Sequence, residues 1–75
     1  MRRLPVISGT EAVKALERVG FRQVSQKGSH VKLRGYREGQ LRTVIVPTHE
    51  ELAPGTLHSI LKQAGVSVEE LVELL

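Results

Sequence analysis

The hydrophobic period of this chain changes at Gly20 and again at Pro47, and those two changes constrain the fold more than any other feature. Before Gly20, the apolar residues Ala12, Val13, Leu16 and Val19 recur at helical spacing. Ser8 and Glu11 fit the capping box that opens a helix, and Gly20 stands where a helix-ending glycine belongs. The spacing predicts an amphipathic helix over Gly9 to Val19, with Lys14, Glu17 and Arg18 turned outward. From Phe21 to Pro47 the period is two. Phe21 to Gln26 reads as a strand, Lys27-Gly28-Ser29 as a tight turn, and His30 to Tyr36 as a second strand. Alternation puts Val31 and Leu33 on one face and His30, Lys32, Arg34 and Tyr36 on the other. Arg37-Glu38-Gly39-Gln40 reads as a hairpin loop. Leu41 to Val46 reads as a third strand, ended by Pro47.

After a loop over Thr48 to Ala53 the helical period returns. Pro54 suits a first helical turn, where a missing N–H is harmless. Leu57, Ile60, Leu61 and Ala64 follow at helical spacing, and Gly65 closes the helix. Ser67 and Glu70 repeat the capping-box pattern before a short last helix, with Val68, Leu71, Val72 and Leu75 on one side. The expected fold class is α+β, in the order α-β-β-β-α with a short extra C-terminal helix. One face of a three-stranded antiparallel sheet packs on the helices; the other is expected to be polar and wet.

The chain has 75 residues and no internal repeat or linker, so one domain over residues 1–75 is expected. A chain this short buries only about 60% of its unfolded surface, so its core is thin. Cysteine is absent, which excludes a disulfide framework and a thiolate metal site. No apolar run approaches the roughly 18 residues of a membrane span. Met1-Arg2-Arg3 is basic, but no signal-type apolar stretch follows. A cytoplasmic, membrane-free protein is expected.

Charge is unevenly placed. Residues 1–48 carry ten basic and three acidic side chains, a net of +7, and residues 49–75 carry one and five, a net of −4. A basic end on a polar molecule points to a polyanion as partner. The bland alternative is a solvated basic face. The chain also contains no Asp, which weighs against two-metal nucleases, since these need clustered carboxylates. His49 and His58 match no metal-ligand spacing. His58 reads as an exposed helix residue and His49 as a loop residue. No cofactor motif is present, and neither a metal nor a cofactor is expected.

His30 differs in its surroundings. It opens a strand after a glycine-containing turn, shares a face with Lys32 and Arg34, and is flanked by Lys27 and Ser29. An imidazole exchanges protons near neutral pH. RNA cleavage without a metal needs a base for the 2′-hydroxyl, an acid for the leaving 5′-oxygen, and cations for the charge gathering on phosphorus. Taken alone, a surface histidine among basic residues is more often a phosphate contact, or has no role, than a catalytic group.

Several stretches together resemble the HicA family of toxins. They are Ser8 to Phe21, Gln26-Lys27-Gly28-Ser29-His30, Val44-Ile45-Val46-Pro47-Thr48-His49, and Leu52 to Ser67 with its Pro54-Gly55-Thr56-Leu57 start. The family comprises small mRNA interferases of type II toxin–antitoxin systems, with a fold similar to a double-stranded-RNA-binding domain. The resemblance implies a catalytic histidine at His30, a presenting turn at Gly28 and Ser29, mRNA as substrate, no metal, and a HicB antitoxin that masks the active face. Val31 departs from the family pattern, in which a second histidine or a polar residue often follows the catalytic one. By alternation Val31 faces the core, so a mechanism at His30 is expected to survive.

On this reading Lys27, Lys32 and Arg34 hold RNA phosphates, with Arg22 and Arg42 as further candidates. The alternative is a non-catalytic RNA-binding module of the same fold, which reads duplex shape and phosphates. Phe21 and Tyr36 are its only aromatic residues, which serves base stacking poorly. A third reading is a protein-interaction partner, which is compatible with the first.

Overall fold

The structure is a computed structural model and describes residues 3–75; the basic start at Met1 and Arg2 lies outside the described residues. Helix α1 spans Gly9–Arg18, strands β1, β2 and β3 span Arg22–Lys27, His30–Arg37 and Gln40–Pro47, and helices α2 and α3 span Pro54–Ala64 and Val68–Leu74. The order is the expected α-β-β-β-α-α. The three strands form one antiparallel sheet in the order β1-β2-β3. Among the described residues no helix is long and apolar enough to cross a membrane.

Local chemistry accounts for the helix ends. Ser8 Oγ accepts from the Glu11 N–H and the Glu11 carboxylate accepts from the Ser8 N–H, both at 3.0 Å, so the first capping box is complete. Helix α1 ends in a Schellman pattern: Gly20 N–H donates to Glu17 and Phe21 N–H to Leu16. Helix α2 ends the same way, with Gly65 donating to Lys62 and Val66 to Leu61. Each ending turns the next apolar residue, Phe21 or Val66, into the core.

The second capping box is only half made. Ser67 Oγ accepts from Glu70 N–H at 3.0 Å, but the Glu70 carboxylate does not turn back. It accepts instead from Arg37 Nη2, at 2.8 and 2.9 Å, and so ties the end of β2 to α3. A charge-assisted bond to a half-buried guanidinium outcompetes a cap bond to a neutral amide. The Arg18 guanidinium adds a second tie to α3 through the Leu74 carbonyl. Leu75, expected on the apolar side of α3, is instead largely exposed.

The core lies between the helices and one sheet face. It contains Ala12, Val13 and Leu16 of α1, Val31, Leu33, Val44 and Val46 of the sheet, and Leu57, Ile60 and Leu61 of α2. No polar or charged side chain is buried among the described residues. The alternation read along β2 is present, with Val31, Leu33 and Gly35 buried between half-buried Lys32 and exposed His30, Arg34 and Tyr36. Helix α2 also covers the outer edge of β3, where Gln63 Oε1 accepts from Ile45 N–H at 3.3 Å. Strand β1 forms the other edge and is exposed along its whole length.

Candidate functional site

The open sheet face is built by register. Cross-strand pairing sets Arg22 opposite Arg34, Ser25 opposite Lys32 and Lys27 opposite His30. On the other side of β2, Lys32 faces Ile45, Arg34 faces Thr43 and Tyr36 faces Leu41. Directly opposed residues point to the same side of a sheet, with Cβ atoms about 5 Å apart. The expected cations Lys27, Lys32, Arg34 and Arg22 therefore share one face with His30. None of the 22 strand residues is acidic.

Arg42 does not belong to that set. It pairs with Gly35 on the helix-facing side of the sheet. Its guanidinium lies over Gly65 and donates to Glu38 at 3.3 Å. Arg37 is likewise held by Glu70. The fold thus sorts its strand arginines. Those toward the helices are neutralised by carboxylates, and those on the open face have no ion-pair partner among the described residues.

His30 is the first residue of β2, exposed, and the only histidine the sheet carries. The turn before it is short. Gly28 has φ +58°, and Ser29 keeps a negative φ, as in a two-residue turn with glycine first. That backbone region is open to glycine and strained for other residues, which explains why glycine stands there. Gln26 Nε2 donates to the Gly28 carbonyl at 3.1 Å. The Ser29 carbonyl accepts two bonds from Thr48, one from the backbone N–H at 2.7 Å and one from Oγ1 at 3.1 Å. Ser29 therefore fixes the turn through its carbonyl, and its exposed hydroxyl is left to face solvent.

Thr48 is the positioning residue that sequence reading missed. It closes the β1–β2 turn onto the end of β3 and fixes where His30 emerges. Its signal lay in the hairpin register: counting outward from the Glu38-Gly39 turn pairs His30 with Pro47 and brings Thr48 against Ser29. His49, next in line, acts through its backbone, since its carbonyl accepts from Gly9 N–H at 2.9 Å. His58 is exposed on α2, as expected. Among the described residues no three His, Cys, Asp or Glu side chains gather as a metal site.

The open face is not uniformly polar. Tyr36, Leu41, Val24 and Ile45 are 72%, 56%, 48% and 38% exposed. Val24 shares the open face with Arg22, two residues before it, and lies at an irregularity in β1 where the register slips between Gln23 and Ser25. The expectation of a wet polar face is corrected to a basic face with an apolar strip. The strip survives because nothing in the described chain packs over it.

A small α+β domain with one helix-backed sheet face and one open basic face is the class defined here. Residues 9–66 match the family described as HicA toxin of bacterial toxin–antitoxin systems. The chain belongs to that family. No curated protein matches the sequence.

Proposed function

We propose that this toxin is a metal-independent endoribonuclease that cleaves mRNA at His30. It acts in the cytoplasm and is restrained by a HicB-type antitoxin. The observation that carries the reading is the place of His30. It is exposed, clamped through its turn, directly opposite Lys27, and on a face with three further cations and no carboxylate.

The chemistry balances with these groups. His30 takes the proton of a 2′-hydroxyl. The freed oxygen bonds to the adjacent phosphorus, and the bond from phosphorus to the 5′-oxygen breaks. The leaving oxygen takes a proton from Lys27 or from water. The products are a 2′,3′-cyclic phosphate and a 5′-hydroxyl. Lys27 and Lys32 stabilise the charge gathering on phosphorus, and Arg34 holds the backbone further along. Gly28 and Ser29 shape the turn, and the Ser29 hydroxyl is free to donate to a phosphate oxygen.

The direct test is a long mRNA incubated with the purified toxin in excess chelator. Cuts bearing 5′-hydroxyl and cyclic-phosphate ends are expected. Intact RNA that is bound in a salt-sensitive way would instead identify a non-catalytic binding module. Added antitoxin is expected to displace RNA; a complex that binds and cuts RNA at the free rate would remove the antitoxin from this face.

Thr48 provides a finer test. Thr48→Val deletes one of two bonds to the turn, a loss of about 1 kcal/mol. The expected result is a two- to tenfold lower kcat, about the factor that energy corresponds to, with little change in KM and recovery in Thr48→Ser. A drop in KM-linked binding alone, or no recovery with serine, would place Thr48 outside the positioning of His30.

A further inference from the structure

The apolar strip has a definite neighbourhood. A hollow at the far end of the open face is lined by Gly20, Arg22, Val24, Arg34, Tyr36 and Leu41. Its floor is apolar, and two arginines flank it. We propose that this hollow is a nucleobase subsite for single-stranded RNA. One base stacks on Tyr36 above Val24 and Leu41, and Arg22 and Arg34 hold its flanking phosphates. The proposal rests on the reading of the His30 face as an RNA-cleaving site, and it extends that site along β2.

The first argument is electrostatic. Arg22 and Arg34 are direct cross-strand partners. Like charges set opposite each other destabilise a sheet pair. Elsewhere in this fold each strand arginine on the core side has a carboxylate. Here the only side-chain bond among the described residues is from Arg34 Nε to the uncharged Thr43 Oγ1, at 3.4 Å. An anion between the two guanidiniums relieves the repulsion, and guanidinium forks suit phosphate oxygens.

The second argument is the aromatic ring. Tyr36 is 72% exposed and Leu41, directly opposite, is 56% exposed, so the ring offers flat area that no part of the described chain covers. A ring beside cations is what single-stranded nucleic acid uses, because every base has a face to stack. Tyr36 lies six positions along the strand from His30, about 20 Å. Lys32 and Arg34 lie between them on the same face. A strand of RNA held at Tyr36 therefore passes over unpaired cations all the way to His30, at several nucleotides' distance. An acidic protein surface would answer the arginines but has no need of the exposed ring.

Tyr36 is the one tyrosine in the chain, and tryptophan is absent, so the ultraviolet emission of the protein reports this ring alone. The experiment uses the full chain carrying His30→Ala, so that RNA is not consumed. A labelled single-stranded oligoribonucleotide of mixed sequence and inorganic polyphosphate are each titrated, with anisotropy reporting RNA binding and tyrosine emission reporting stacking. RNA is expected to quench the emission, and polyphosphate to bind without quenching. Tyr36→Ala in the same background is expected to weaken RNA binding by about five- to a hundredfold, the range one stacked base contributes, and to leave polyphosphate binding unchanged. Tyr36→Phe is expected to bind RNA as the parent does.

RNA that binds without quenching, or binds Tyr36→Ala undiminished, would overturn the subsite and leave the strip to a protein partner. Quenching by polyphosphate equal to that by RNA would overturn it as well. No anisotropy change with RNA at all would remove both the subsite and the RNA reading on which it rests.

Discussion

Replacing His30 by alanine is expected to lower the rate of RNA cleavage by about a hundred- to ten-thousandfold, the usual contribution of a positioned acid or base. The fold is expected to survive. His30 is exposed, and its side chain makes no hydrogen bond among the described residues. Exposed substitutions of this kind change stability by roughly 0.5 kcal/mol or less. RNA affinity is expected to change little, because the phosphates are held by Lys27, Lys32, Arg34 and Arg22 rather than by the imidazole. The measurement is the single-turnover rate on a labelled RNA, alongside a thermal melt of each protein. A variant that cuts at the parental rate would move the chemistry elsewhere, with His49 the next histidine to replace. A variant that unfolds would show that His30 serves the structure.

The contrast between two sets of cations strengthens that reading. Charge counting along the chain treated all basic residues before Thr48 as one group. The fold divides them by the parity of their strand positions. Arg37 and Arg42 fall on the same side as the core, at its rim, where a bare guanidinium would be half-desolvated; Glu70 and Glu38 meet them there. Arg22, Lys27, Lys32 and Arg34 fall on the other side, where water solvates them and no carboxylate is supplied. The acidic C-terminal part is thus not a uniform counterweight to the basic part. One of its residues, Glu70, is spent on holding α3 to the sheet.

What was legible in sequence follows the range of the interactions involved. Capping at Ser8, the glycine-ended helices and the alternation of β2 all depend on residues within a few positions of one another, and all are present as read. The place of His30 beside Lys27, Lys32 and Arg34 depends on one turn and one alternation, and was legible for the same reason. Features set by distant partners were not. Glu70 resembles a cap residue until Arg37, 33 positions away, is brought beside it. Arg42 resembles a free cation until Gly65, 23 positions away, comes to lie against it on the core side, although Glu38, which pairs with it, is only four positions off. Strict alternation from Arg22 would turn Lys27 to the core side, and the slip after Gln23 returns it to the open face opposite His30. Thr48 has no local mark at all, since it acts on the backbone carbonyl of a residue 19 positions away.

That dependence on distant backbone makes Gly9→Ala the most disruptive small substitution in the chain. Gly9 is the first residue of α1, buried against the end of β3. A Cβ there would overlap the Pro47 carbonyl oxygen and stand 2.8 Å from both the Pro47 carbonyl carbon and Thr48 Cα. These are backbone atoms, which cannot rotate away as a side chain would. Overpacking typically costs about 1–3 kcal/mol, and an overlap with backbone that cannot rotate away belongs at or above the top of that range. The whole domain is held by only about 4–11 kcal/mol, by the usual stability per residue. A fall in Tm of more than about 10 °C is expected. Gly55→Ala is the matched control, because Gly55 is also in the first turn of a helix and a Cβ there meets nothing within 4 Å. It is expected to raise Tm by a few degrees, through the lower entropy of the unfolded chain. The two substitutions also separate fold from function. Gly9 carries its contact to Pro47 and Thr48, and Thr48 holds the turn that presents His30. Below its melting range, Gly9→Ala is therefore expected to cut RNA more slowly than the parent, whereas Gly55→Ala cuts at the parental rate. Equal rates for all three folded proteins would show that His30 keeps its place without the wedge between α1 and β3.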